Sequence, residues 1–100
     1  MQNLEEQYEN LNDFINNFEI LLNKNIFKGE TTEEVSLFGN EIMTLCKSKL
    51  FNFTLNDLKS LNSFNELLIR TPDTSKCYLI SQVESFYTDI IEPTKVEYYG

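Results

Sequence analysis

The stretch LEEQYENLNDFINNFEILL, residues 4–22, decides the fold. Leu4, Tyr8, Leu11, Ile15, Phe18 and Leu22 recur at steps of 4, 3, 4, 3 and 4. That spacing places side chains on one face of an α-helix. Phe14 and Leu21 widen the stripe. A stripe of that width suits a helix within a bundle better than the narrow seam of a two-stranded coiled coil. Asn3, with Glu6 three residues on, offers an N-terminal cap, and Lys24 stands where the helix dipole favours a cation.

The rest of the chain reads in the same way. Residues 23–30 form a loop around Gly29, with Ile26 and Phe27 tucked beneath the bundle. Thr31 and Glu34 have the spacing of a capping box and open a second helix with Val35, Phe38, Ile42 and Leu45 on its apolar face. Gly39 lies inside it and marks either a close helix contact or a break. Thr54 and Asp57 form a further box, with Phe53 placed to staple onto Leu58. Leu55, Leu58, Leu61, Phe64, Leu67 and Leu68 follow, and Ser63 with Glu66 suggests a division near Asn62. Thr71-Pro72 has the form of a capped helix start, and Leu79, Ile80, Val83, Phe86, Tyr87, Ile90 and Ile91 carry the last apolar face. Pro93 is expected to end that helix, because the residue before a proline disfavours the helical region. The expected fold is all-α. It is one domain over 1–100, a compact bundle of about four antiparallel helices (3–23, 32–51, 54–70 and 72–92), with a short C-terminal tail at 93–100.

Composition narrows the function classes. One hundred residues with 41% hydrophobic and 13% aromatic content fit one packed domain and not a disordered chain. Histidine is absent, which removes imidazole bases, Ser-His-Asp triads and imidazole metal ligands. The net charge of −8 opposes binding to nucleic acid through phosphate neutralisation. The longest apolar run is four residues, Cys77 to Ile80, whereas a membrane span needs about 20. The first nine residues lack a signal peptide's basic and apolar regions. Cys46 and Cys77 fit no zinc or CxxC spacing and read as reduced, half-buried core thiols, so the expected location is cytoplasmic. Neither Gly29 nor Gly39 belongs to a phosphate-binding loop, and no EF-hand pattern occurs, so no cofactor or metal is expected. Alanine is absent, asparagine occurs twelve times and seven of the eight basic residues are lysine, a bias that AT-rich coding produces.

Most charges have a place in the helical scheme. Glu5, Glu6, Glu33, Glu34, Asp57 and Asp73 lie in first turns, while Lys24, Lys47, Lys49 and Arg70 lie near helix ends. Glu66 and Arg70 stand at i,i+4 spacing. The mid-helix acids Glu9, Asp13, Glu19, Glu41, Glu84 and Asp89 have no base three or four residues away. Glu5, Glu9 and Asp13 form a like-charged i,i+4 run, and Glu92 sits at an unfavourable helix end. This excess is either a solvated face or a docking surface for a basic partner. Tyr98 and Tyr99 offer a second contact, since tyrosine is enriched at interfaces.

The leading expectation is a non-enzymatic interaction protein. It would occlude a basic surface on another protein, as phage- or mobile-element-type inhibitors do, through Glu5, Glu9, Asp13, Glu19, Glu41, Glu84, Asp89 and Glu92. The alternatives are an immunity- or antitoxin-like protein or small subunit docking through an apolar patch and the Tyr98-Tyr99 tail, and a small carboxylate-dependent enzyme. The seam of the first helix also leaves a homodimer open.

Overall fold

A computed structural model describes residues 4–100 and contains six α-helices and no strand among them. Helix α1 spans Leu4–Asn25 and α2 Glu33–Lys49. Two short helices follow, α3 over Leu55–Lys59 and α4 over Asn62–Arg70. A 3₁₀ turn at Asp73–Ser75 leads into α5, Lys76–Phe86. A five-residue π turn, Tyr87–Ile91, joins α5 to α6, Glu92–Tyr99, so residues 76–99 form one continuous C-terminal rod. The fold is the expected all-α bundle. Its radius of gyration, 13.3 Å, matches the roughly 13 Å of a compact chain this long.

The helix pairs run antiparallel. At one end of α1 the Tyr8 ring lies beneath Lys47 of α2, and at the other the Asn23 side chain accepts from the Thr32 backbone N–H at 3.2 Å. Gly39 resolves as a close contact. Its missing side chain leaves room for the Glu19 carboxylate, and a Cβ there would lie 3.0 Å from an Ile15 methyl. The helix continues through Gly39 without a break. Along α2 and α4, Phe38 meets Phe64 at 5.5 Å and Glu34 approaches Arg70 at 3.9 Å. On the other side of α1, Phe18 meets Phe86 of α5 at 5.0 Å and Phe38 at 6.4 Å. Phe86, Phe18, Phe38 and Phe64 therefore form an aromatic chain through four helices, with each such pair worth about 1 kcal/mol beyond area burial. Ile26 and Phe27 are buried as expected, and so are Phe51 and Phe53.

Several boundaries differ from the sequence expectation. Thr32, not Thr31, caps α2, its hydroxyl accepting from Val35 N–H at 3.3 Å. The Thr54–Asp57 box is present in both directions, at 2.8 and 3.2 Å. No box forms at Ser63. Its hydroxyl is buried without a hydrogen-bond partner, while Glu66 accepts from Asn62. Arg70 pairs with Glu34 of α2 and not with Glu66. Thr71 closes α4, its hydroxyl donating to the Leu67 carbonyl at 2.7 Å, and α5 begins only at Lys76. The Lys76 ammonium donates to the Leu68 and Thr71 carbonyls at 2.7 and 2.9 Å and so satisfies the end of α4. Cys77 is exposed, contrary to the half-buried expectation, and Cys46 is buried; both are free thiols.

The largest correction concerns residues 93–100. Pro93 does not end the helix, and the tail is helical to Tyr99. A proline ring within an α-helix clashes with the carbonyl four residues earlier and leaves it unbonded. The π turn just before Pro93 loosens that turn. Glu92 N–H bonds five residues back to the Tyr87 carbonyl, and the Thr94 hydroxyl bonds the Ile90 carbonyl at 2.7 Å. α6 then clasps the loop after α2. There Leu50 and Phe51 adopt left-handed φ values of 50° and 66°, which side chains disfavour. The Tyr87 hydroxyl and the Lys95 ammonium each donate to the Phe53 carbonyl at 3.0 Å, and the Tyr99 hydroxyl donates to the Leu50 carbonyl at 2.8 Å.

Candidate docking surface

The ten residues singled out in the sequence separate into three groups. Two of the acids, Glu41 and Glu84, have partners within the chain, and a third, Glu19, is partly buried. The Glu41 carboxylate accepts from the Ser63 backbone N–H at 2.8 Å and so caps α4, whose own N-cap residue, Leu61, supplies no side-chain bond. Glu84 is in an ion pair with Lys59 at 3.0 Å. Glu19 lies against Gly39 in the α1–α2 crossing, where burial pushes its carboxyl pKa up. The expectation of unrelieved charge fails at Glu41 and Glu84, because tertiary packing supplied partners distant in sequence, while Glu19 gains only burial.

The aromatic pair is also partly structural. Tyr98 and Tyr99 pack edge to face at 4.8 Å, and Tyr99 holds Leu50. Their rings remain accessible beside Val96, which is exposed. Deleting residues 94–100 would therefore remove Lys95 and Tyr99 from the clasp and could not separate binding from folding.

Five acids keep their charge facing outward. Glu5, Glu9, Asp13, Asp89 and Glu92 are exposed, and among the described residues no ion pair engages them. Glu9 and Asp13 border a shallow depression with Tyr8, Met43 and Lys47 on the α2 side of α1. Asp89 lies on the opposite flank, at the rim of an open groove of about 320 Å³ between α1 and the C-terminal rod. The floor of this groove is Phe14, Phe18, Leu21, Phe86 and Ile90. Phe14 is 48% exposed and Leu21 37%, so the residues that widened the helix-one stripe line a surface groove. Ile20 also stands exposed, at 64%, on the outer face of α1.

Gln7 is the residue that sequence reasoning passed over. It lies on the stripe between Leu4 and Leu11, where an apolar side chain belongs. It is 5% exposed, and neither its amide oxygen nor its nitrogen has a hydrogen-bond partner. Gln7 lines a smaller, more enclosed pocket of about 160 Å³ with Leu11, Phe14, Ile90, Thr94 and Glu97. Phe14 and Ile90 border both hollows, which therefore adjoin along α1 as the two parts of a trough. The signal was a polar residue in phase with the core.

The remaining chemistry is spare. Burial pushes the Cys46 thiol pKa up to about 12, which keeps it in the unreactive thiol form. Among the described residues, no group of three or more Cys, Asp or Glu is placed to hold a metal ion, and no helix is long and apolar enough to cross a membrane. The chain matches no protein-family model, no curated protein and no solved structure.

Proposed function

We propose that this chain is a non-enzymatic interaction module that binds a basic surface of another protein and occludes it. One observation carries the reading. The acids left without intramolecular partners, Glu5, Glu9, Asp13, Asp89 and Glu92, are exposed on α1 and the adjoining rod, with Glu9 and Asp13 on the α2 side of α1 and Asp89 at the rim of the apolar groove on its other side. Like charges at Glu5, Glu9 and Asp13 cost a few tenths of a kcal/mol per pair in the free helix, and a cationic partner reverses the sign of that contribution. Glu19, Glu41 and Glu84 leave the proposed surface, since Glu41 caps α4, Glu84 is paired with Lys59 and Glu19 is partly buried against Gly39. The partner is a protein and not a nucleic acid, given the net charge of −8.

The test is affinity capture from nuclease-treated lysate, with the natural chain and a Glu9→Lys/Asp13→Lys/Asp89→Lys variant compared at low and high salt. The expected result is a basic protein retained at low salt, released at high salt and lost with the variant. Equal retention by both chains would refute the acidic surface. All three positions are exposed and unpaired, so the variant should keep the helical circular dichroism of the parent.

A further inference from the structure

We infer that the trough between α1 and the C-terminal rod receives an amphipathic helix from a basic partner. This deepens the acidic-surface reading and rests on it. Three observations converge. The first is shape: Gln7 to Leu21 spans 14 residues of α1, about 21 Å at 1.5 Å per residue, the length of three to four helical turns. Phe14 and Leu21, the exposed apolar residues of its floor, are seven apart on α1, an axial repeat of about two turns that matches the i,i+7 anchors of an amphipathic helix laid alongside. The second is charge. No lysine or arginine lines either hollow, while Asp89 and Glu97 do. A second copy of this chain would bring −8 against −8, so a basic helix is the better occupant.

The third observation is Gln7. A buried amide without partners is unfavourable in the free protein. It lines the enclosed end of the trough, where the end of an incoming helix would lie. Helix ends carry backbone N–H or C=O groups with no intrahelical partner. A glutamine amide offers both a donor and an acceptor, and a rotation of its side chain toward the pocket would satisfy either kind of end.

The experiment uses fluorescently labelled 16-residue peptides and the full chain, read by anisotropy at two salt concentrations. One peptide places leucines at i, i+3, i+4 and i+7 with lysines elsewhere. A second has the same composition with the leucines scattered off one face. A third replaces the lysines with glutamates. The patterned basic peptide is expected to bind, and the scattered and acidic peptides to bind at least tenfold more weakly. Phe14→Ser and Asp89→Lys should each weaken the patterned peptide by about tenfold, the effect of one lost apolar or charged contact. Gln7→Met should raise Tm, because it removes an unsatisfied amide from the core, and yet weaken binding. That opposite movement is not expected of a purely structural glutamine.

Equal binding of the patterned and scattered peptides, lost with Glu9→Lys/Asp13→Lys, would overturn the helix-in-trough inference and leave the acidic surface standing. No binding of either basic peptide would overturn both. A stable dimer in sedimentation that Phe14→Ser dissociates would overturn the inference in favour of a second copy.

Discussion

Removing both donors to the Phe53 carbonyl should cost more than the sum of removing each. The Tyr87 hydroxyl and Lys95 ammonium both lie 3.0 Å from that oxygen. Tyr87 is 7% exposed, so Tyr87→Phe deletes a buried neutral hydrogen bond and should cost about 1 kcal/mol. Lys95→Met deletes a charge-assisted bond at a half-buried site, together with a contact of the ammonium over the Tyr87 ring at 5.9 Å. The lower end of the charged range applies there, about 1.5 kcal/mol. Each single variant leaves the carbonyl one donor. The double variant leaves it none of the two, in a loop already held at left-handed φ, and adds about 1 kcal/mol or more of desolvation cost. The double variant should therefore lose about 3.5 kcal/mol or more, against about 2.5 for the sum of the singles. At about 4–8 °C per kcal/mol for a domain of this size, the excess alone is readable in a melting curve. Urea unfolding followed by far-ultraviolet circular dichroism, at about 0.15 M salt to screen the added net charge, measures all four corners of the cycle. Additivity within about 0.5 kcal/mol would show that Phe53 does not depend on these donors, and would refute the clasp.

Other expectations follow from single contacts. Glu41→Ala should destabilise the chain by about 1 kcal/mol, the usual cost of a lost helix cap, and Glu41→Gln by less, since it keeps an acceptor for Ser63 N–H; chemical denaturation distinguishes them. Asp57 and Glu19 should show opposite pH signatures. The Thr54 backbone N–H, and then its hydroxyl, hold the Asp57 carboxyl below its usual range, so its stabilisation is present above the unfolded carboxylate pKa and lost as pH falls through the folded one. Burial raises Glu19, so ionising it costs stability once pH rises past the unfolded pKa; Glu19→Gln should gain stability at neutral pH and lose that advantage in acid, whereas Asp57→Asn should lose stability at neutral pH and converge with the parent in acid. Thermal melts of parent and variants from pH 3 to 8 would refute either assignment if the difference ran the other way.

What could be read from the sequence was the part written in local periodicity. The α1 stripe, the Thr54–Asp57 box and the division between α3 and α4 are properties of neighbours within a few residues. The partners of acids were not visible. Glu41 is 22 residues from Ser63 and Glu84 is 25 from Lys59, and helical spacing carries no information about such pairs. The exposure of Phe14 and Leu21 was hidden for a related reason. A helix face shows which residues are apolar, while the neighbouring helix decides how much of that face it covers.

The misreading of Pro93 has a different origin, and it ties the fold to the proposed surface. The rod buries Leu79, Val83 and Phe86 before the π turn, and Tyr87 and Ile91 within it. Phe86 and Tyr87 are adjacent, yet both face the core. In an unbroken α-helix neighbouring residues differ by about 100°, so a row starting at Leu79 would continue to Ile90 and leave Ile91 aside. The π turn holds one extra residue and advances the buried row by one position. That advance turns Tyr87, Lys95 and Tyr99 toward the loop at Leu50 to Phe53. It also leaves Ile90 half-buried beside Phe14 and Asp89 exposed at the trough rim, instead of carrying Ile90 into the core. The doubled apolar pairs Phe86-Tyr87 and Ile90-Ile91 are the sequence trace of this shift. They look like one wide helical face, but they are two narrow faces, offset by one residue. One closes the core, and the other keeps an apolar wall open along α1.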